Sequence, residues 1–396
     1  MNFYLNINSM NKKFVTIFPN CENVHLTKDL GQIPYFMYAK HDYNARIATY
    51  RNSEEYDAIY TEVKGLKIDF IDKIGTIWFL EKGVLKYIYN NAKNIEVLNL
   101  FHFSKWSFVY GILFKLLNPK GFLFLKLDAY NKTFSEGTKI IHSRKKIKNF
   151  FILSLEKYFL KKVDLITIEN KEGERLVKLM YPKLISKIMY LPVGVNDIFL
   201  KKEFGTNLKT FEEKENIILT TGRIGAEVKN HQMLLKAITN INLQDWKMVF
   251  VGPVEEEFMN FVDSVFAQNP QLKSKIVFTG EISNRKELYE WYNRSKIFCM
   301  TSFNESFSLS VAEALYFGNY IIGTEGVMSM QDVTDNQKYG SIIKNDDDKE
   351  LSVILQKLIN NQVPLQKLYP SIIKHSHQNF VWSTITDNLQ NRIKKN

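Results

Sequence analysis

Short apolar runs alternate with stretches of helical period along the whole chain. KFVTIFP (13–19), ARIATY (45–50), DAIYTEV (57–63), VLNLFHF (97–103), GFLFLKLDAY (121–130) and DLITIEN (164–170) are rich in β-branched and aromatic residues and have no helical stripe. Such runs predict strands buried on both faces. Between them, 33–40, 76–92, 105–118, 143–162 and 171–180 read as helices. A second series begins after residue 216. IILTTGRI, KMVFVGP, KIVFTGEI, KIFCMTS and YIIGT read as strands, and 230–240, 255–268, 284–294 and SLSVAEALYF as helices, the last closing on Gly318. This alternation predicts two α/β domains with mainly parallel sheets. LPVGVNDIFL (191–200) and the polar KKEFGTNLKTFEEKEN (201–216) read as a linker, which sets domains at 1–192 and 193–380. A chain of 396 residues is long for one core, which agrees with two.

Composition adds a location and a sign. The hydrophobic share of 45% and charged share of 24% are those of a globular protein. Cys21 and Cys299 stand far apart without a partner motif, which points to a reducing cytoplasm rather than a disulfide framework or a cysteine metal site. MNFYLNINSMNKK lacks the charged start and apolar core of a signal peptide. The longest apolar stretch, 98–117, is broken by His102, Lys105 and Lys115, and reads as a strand leading to a helix. Residues 1–192 hold 30 Lys and Arg against 18 Asp and Glu, so the formal excess of +11 belongs entirely to the first half. An anionic partner for that domain alone follows.

The chemistry gathers at predicted strand ends. In FNESFSLSVAEALYFGNYIIGT (303–324), Glu305 lies in a loop after a strand and Glu313 lies inside the following helix. Ligands of open parallel sheets sit beyond the carboxyl ends of the strands, so Glu305 is expected to face a crevice and Glu313 to reach it from the side. If neither binds a ligand, Glu305 is an N-terminal carboxylate of the helix and Glu313 a partly exposed helix residue. The amide groups of Phe307, Ser308 and Leu309 at the helix start favour an anion. In TTGRIGAEVKNHQ, Gly222 and Arg223 close a strand and Lys229 stands at the start of the next helix. A forked guanidinium beside a point charge suits a diphosphate.

Taken together, these motifs resemble glycosyltransferase family 4, retaining enzymes of the GT-B architecture. The resemblance rests on Gly222-Arg223 with Lys229, on Glu305 with Glu313 in ESFSLSVAEA, on LPVGVND, and on VFTGEISNRKELYEWYNRSKIFCMTS; it covers about residues 190–396. It implies two Rossmann-like domains facing a central cleft, the first on the acceptor side and the second binding a nucleotide-sugar. It also implies that NFVWSTITDNLQNRI, within 381–396, is a closing helix returning to the first domain. Arg223 and Lys229 would hold the donor diphosphate, Glu305 the donor sugar and Glu313 the ribose. The site would include Gly222, Ser306, Phe307, Ser308 and Leu309. The family's usual EGFGL stands here as ESFSL, with Ser306 and Ser308 in place of glycines. Its double-glycine loop in the first domain has a single counterpart, Gly31. Where many members carry a histidine, GFLFLKLDAY ends in Asp128, with His102 as the other candidate for the reacting centre.

The expected reaction is transfer of a hexosyl group, with retention, from a nucleotide-sugar to a glycan or lipid-linked acceptor in bacterial surface polysaccharide synthesis. Neither cofactor nor metal is implied, since the D-x-D pattern at Asp346–Asp348 lies in a solvated charge run. The basic residues of 139–162 alternate with bulky apolar ones, which suggests an anionic membrane surface as a partner and not nucleic acid. Localisation is therefore expected to be cytoplasmic and peripheral to the membrane. An epimerase or an inactive subunit of the same architecture are the alternatives.

Overall fold

Runs of four or five consecutive buried residues, such as LITI (165–168) and IILTT (217–221), can be covered only by layers on both faces of a sheet. The structure, a computed structural model, describes residues 12–128, 147–205 and 208–395. The chain divides into two compact units, Met1–Pro192 with Trp382–Asn396, and Val193–Val381.

In the first unit the strands are β1 (Lys13–Ile17), β2 (Asn44–Thr49), β3 (Lys67–Phe70), β4 (Ile95–Phe101), β5 (Phe122–Leu127), β6 (Leu165–Ile168) and β7 (Ile188–Tyr190). They lie in the order β3-β2-β1-β4-β5-β6-β7, with every pairing parallel. The chain moves outward from β1 to β3, then crosses back to place β4 on the other side of β1. Loops leaving β1 and β4 therefore diverge and open a crevice at the carboxyl edge. The second unit repeats the plan with β8 (Ile217–Thr221), β9 (Lys247–Val251), β10 (Ile276–Phe278), β11 (Ile297–Met300), β12 (Tyr320–Thr324) and β13 (Gly340–Ile343), ordered β10-β9-β8-β11-β12-β13 and all parallel. Its crossover lies between β8 and β11.

The helix Trp382–Lys394 packs on the helix Asp29–His41 of the first unit, where Lys40 meets Asp387 at 2.8 Å. Three sequence expectations are corrected. DAIYTEV is not a strand, because its backbone closes on itself through Tyr60 N–H to Asp57 O and Val63 N–H to Ala58 O. The strand is KIDF, a short edge segment without a continuous apolar run. The helix expected from 76 starts at Lys82 and is preceded by a hairpin, Thr76–Ile77 with Leu80–Glu81. The linker contains a helix, Asp197–Phe204, capped by Asn196 accepting from Phe199 N–H at 2.9 Å and packed through buried Leu200 and Phe204.

Candidate functional site

At the crossover edge of the second unit, β8 is followed by Gly222 with φ 134°, a left-handed conformation that favours glycine. Its N–H donates to Val251 O at 2.9 Å. Gly252 (φ 138°) presses against it so closely that a Cβ there would overlap the Gly222 carbonyl. The loop then turns through Gly225, whose N–H donates to Nδ1 of His231 at 3.0 Å. His231 lies buried between Phe250 and Phe258, and burial, with Lys229 nearby, pushes its pKa down to about 3. A neutral ring is what this acceptor role requires.

Lys229 lies in a short turn, Glu227–Lys229, just before the helix His231–Thr239. Its carbonyl accepts from Thr301 Oγ1 at 2.8 Å, and Phe303 N–H donates to Val228 O at 2.9 Å. These bonds join the loop after β8 to the loop after β11. They bring the Lys229 ammonium to 2.9 Å from Glu305 Oε2, with both side chains half-buried. Glu305 is itself held by backbone bonds to Gly326 O at 3.1 Å and from Met328 N–H at 2.9 Å. Arg223 does not join this pair; its side chain is 67% exposed and its Nε meets Glu255 Oε1 at 3.3 Å.

The helix Leu309–Tyr316 starts beside these loops with Ser308 as its N-cap residue. Phe307 is buried with its ring near Phe380, while Ser306 and Leu309 are half-buried. Glu313 sits in the interior of this helix and is 2% exposed, not partly exposed as one expectation had it. Its Oε1 receives Arg285 Nη2 at 2.5 Å and Tyr289 Oη at 3.3 Å, and its Oε2 receives Tyr292 Oη at 3.0 Å. Burial and then the Glu313 charge push the Tyr292 phenol well above its usual range, so it stays a donor. Tyr292 also shares a 2.8 Å hydrogen bond with Thr221, the last residue of β8. Glu313 is thereby coupled to the strand that presents Gly222 and Arg223.

The crevice edge of the first unit holds a second charged group. Lys126, on β5, is completely buried. Its ammonium lies 3.0 Å from Asp29, 3.0 Å from Glu169 and 3.5 Å from Asp128. Those three charges, Glu169 first, raise its pKa well above the usual value against the opposing effect of burial. Oxygens of the three carboxylates lie within 4.8 Å of one another, and the lysine ammonium is the cation among them. Asp128 is the exposed member, and its Oδ2 lies 3.5 Å from Nδ1 of His102. His102 is exposed, has φ 64°, and rests against Phe18 and Phe101 rather than in the core. Gly31 is not in a loop. It is buried in the first turn of the helix Asp29–His41, where a Cβ would overlap the backbone of Leu26. Residues 139–146 of the basic stretch lie outside the described residues.

Arg285, Tyr289 and Tyr292 escaped sequence reasoning although their spacing of four and three puts them on one helix face. Lys126 escaped too, although a lysine inside FLFLKL is a signal of a buried partner.

Residues 203–377 match the family model for glycosyl transferases group 1. Over 155 residues the chain is 32% identical to a Campylobacter jejuni enzyme, GalNAc-alpha-(1->4)-GalNAc-alpha-(1->3)-diNAcBac-PP-undecaprenol alpha-1,4-N-acetyl-D-galactosaminyltransferase. That match spans 38% of this chain and 40% of the relative. Among solved structures, a glycosyltransferase from Rickettsia africae covers 97% of this chain and 98% of its own at TM-score 0.69 and 14% identity. Anabaena HepE, in complex with UDP, covers 97% and 100% at TM-score 0.69 and 11% identity. Residues 203–377 are thus similar to glycosyl transferases group 1, and the fold of the chain is that of solved GT-B glycosyltransferases.

Proposed function

We propose that this protein is a retaining hexosyltransferase that moves a sugar from a nucleotide-sugar to a glycan or lipid-linked acceptor during synthesis of a surface polysaccharide. The observation that carries the reading is the Lys229–Glu305 pair, 2.9 Å apart at the crossover edge of the second sheet. A cation and a carboxylate side by side match the two ends of a sugar diphosphate. Lys229 and Arg223 would take the diphosphate, whose charge grows as the bond to the anomeric carbon breaks. The amides of Phe307, Ser308 and Leu309, at the positive end of a helix with Ser306 before it, would add to that field. Gly222 lets the backbone approach the ligand.

Glu305 would accept from adjacent hydroxyls of the donor sugar, and Glu313 from the ribose, exchanging a phenol or the Arg285 contact for them. Asp128, with His102 beside it, would orient the acceptor hydroxyl. On this reading the second unit's own cations and amides supply the charge stabilisation, without a metal or other cofactor. Gly31, in the first turn of the helix Asp29–His41, would meet the diphosphate from the first unit only through that helix start. The relative in C. jejuni is named for an undecaprenol-linked acceptor, which supports a lipid-linked acceptor here and a peripheral position on the inner face of the cell membrane, facing anionic lipid through 139–162. No helix among the described residues is long and apolar enough to cross a membrane.

The test is a panel of nucleotide-sugars, UDP-sugars included, screened first for thermal stabilisation and then for acceptor-dependent release of nucleoside diphosphate. A true donor at about 100 times its dissociation constant adds about 2.7 kcal/mol. NMR of the product reads the anomeric configuration. If no nucleotide-sugar stabilises the protein, the reading is wrong; if one is consumed without an acceptor, the epimerase alternative takes its place.

A further inference from the structure

The two-residue tip of the hairpin before the helix Lys82–Asn91 is Trp78-Phe79. Trp78 is 84% exposed and has φ 57°. The first position of such a tip, when its φ is positive, favours glycine. A bulky aromatic residue there is both strained and solvated, and strain of this kind persists where the residue has a task. Its neighbours repeat the signal: Ile74 and Ile77 are each about half exposed.

The tip is also held firmly. Trp106 Nε1 donates to Phe79 O at 2.5 Å, and Lys82 N–H donates to Gly75 O at 3.0 Å, which closes the hairpin onto the helix. Lys105 lies over the rings of Phe79 and Trp106, 4.4 and 4.9 Å from their centroids. Lys82 and Lys86 are exposed one turn apart on the helix that follows. A rigid apolar tip with tryptophan at its end and lysines behind it has the composition of a segment that seats at a membrane–water boundary, where indole rings sit at headgroup level and lysines reach outward.

We propose that this hairpin inserts Ile77 and Trp78 into the headgroup layer of an anionic lipid bilayer, with Lys82, Lys86 and Lys105 on the lipid phosphates. Charge selects the occupant: Lys105 lies over Phe79 at the tip, and Lys82 and Lys86 are exposed on the helix that follows. Exposed isoleucines also argue against a glycan, which stacks on aromatic faces. The inference rests on the membrane part of the reading above and not on the transfer chemistry.

Trp78→Gly is the decisive variant, because glycine suits φ 57° and the fold is kept while the anchor is lost. Co-sedimentation of the full chain with vesicles of phosphatidylcholine alone, and with phosphatidylglycerol added, is read at two salt concentrations. The parent is expected to bind the anionic vesicles, less at high salt. Trp78→Gly is expected to bind them about tenfold more weakly, about 1.4 kcal/mol, with an unchanged or higher melting temperature. Val353→Ser, at an exposed valine of the second unit, is expected to bind like the parent. Parent binding that Trp78→Gly leaves intact, but that a four-site alanine variant at Arg144, Lys145, Lys146 and Lys148 abolishes, would overturn the hairpin alone. A parent that ignores anionic vesicles would overturn the hairpin and the basic stretch together, and leave the transferase reading standing.

Discussion

Replacing Lys126 by methionine tests the charged centre of the first unit. Methionine keeps most of the stem volume and is a tolerant core residue, so packing changes little. What changes is charge: the ammonium now lies within 3.5 Å of three carboxylates, and two of these, Glu169 and Asp29, are largely buried. Removing one partner of a buried ionic group leaves uncompensated charge and costs about 3 to 5 kcal/mol. That is a large part of the 5 to 15 kcal/mol typical of a whole domain. The loss should depend on pH with a definite sign. In the variant, carboxylates facing one another bind protons more readily folded than unfolded, so lowering the pH stabilises the folded variant relative to the parent. The gap between parent and variant should therefore be larger near about pH 8 than near about pH 5. Urea unfolding followed by circular dichroism at both values reads it, comparing the midpoint of whichever transition moves, since two units need not unfold together. A loss under about 1 kcal/mol, or one equal at both pH values, would mean that the Lys126 charge does not offset the carboxylates around it.

Three further outcomes follow from the second unit. Gly252→Ala drives a Cβ into the Gly222 carbonyl at φ 138° and should cost about 1 to 3 kcal/mol, read by thermal melting; an unchanged melt would show that the close approach is not required. His231 is held neutral, so stability is fully present above the usual histidine pKa and falls as pH drops through about 6.5 toward about 3, by up to about 1.4 kcal/mol per unit. His231→Asn keeps an acceptor for Gly225 N–H but should flatten that slope; an unaltered slope would place the titration elsewhere. Glu313→Gln should weaken both the nucleoside diphosphate and the full donor, whereas Glu305→Gln should lower turnover and spare diphosphate affinity; calorimetry and initial rates separate them, and the reverse pattern would exchange their roles.

The sheets were legible because strands covered on both faces leave continuous apolar runs, as in IILTT and KIFCMTS. The edge strands of the first sheet were not: Lys67–Phe70 and Ile188–Tyr190 are short and half-covered, and their neighbours mimic them. Strand order is invisible in a single chain, so the sequence could place Lys229 and Glu305 at strand ends without showing that β8 and β11 are neighbours. Their ion pair is a product of that adjacency. Glu313 was legible as a residue and misjudged in its surroundings, because its partners come from another helix, Arg285–Arg294. Gly31, which the resemblance places in a loop, lies instead in the first turn of a helix, close against the backbone of Leu26.

The central claim is that the crossover edge of the second unit holds a nucleoside diphosphate. Isothermal titration of UDP, and of other nucleoside diphosphates, into the parent, Lys229→Ala and Arg223→Ala tests it most directly. Each substitution removes a charged donor and should weaken binding by about 1.5 to 3 kcal/mol, roughly ten- to more than a hundredfold in Kd. Equal affinity in parent and both variants would contradict the assignment.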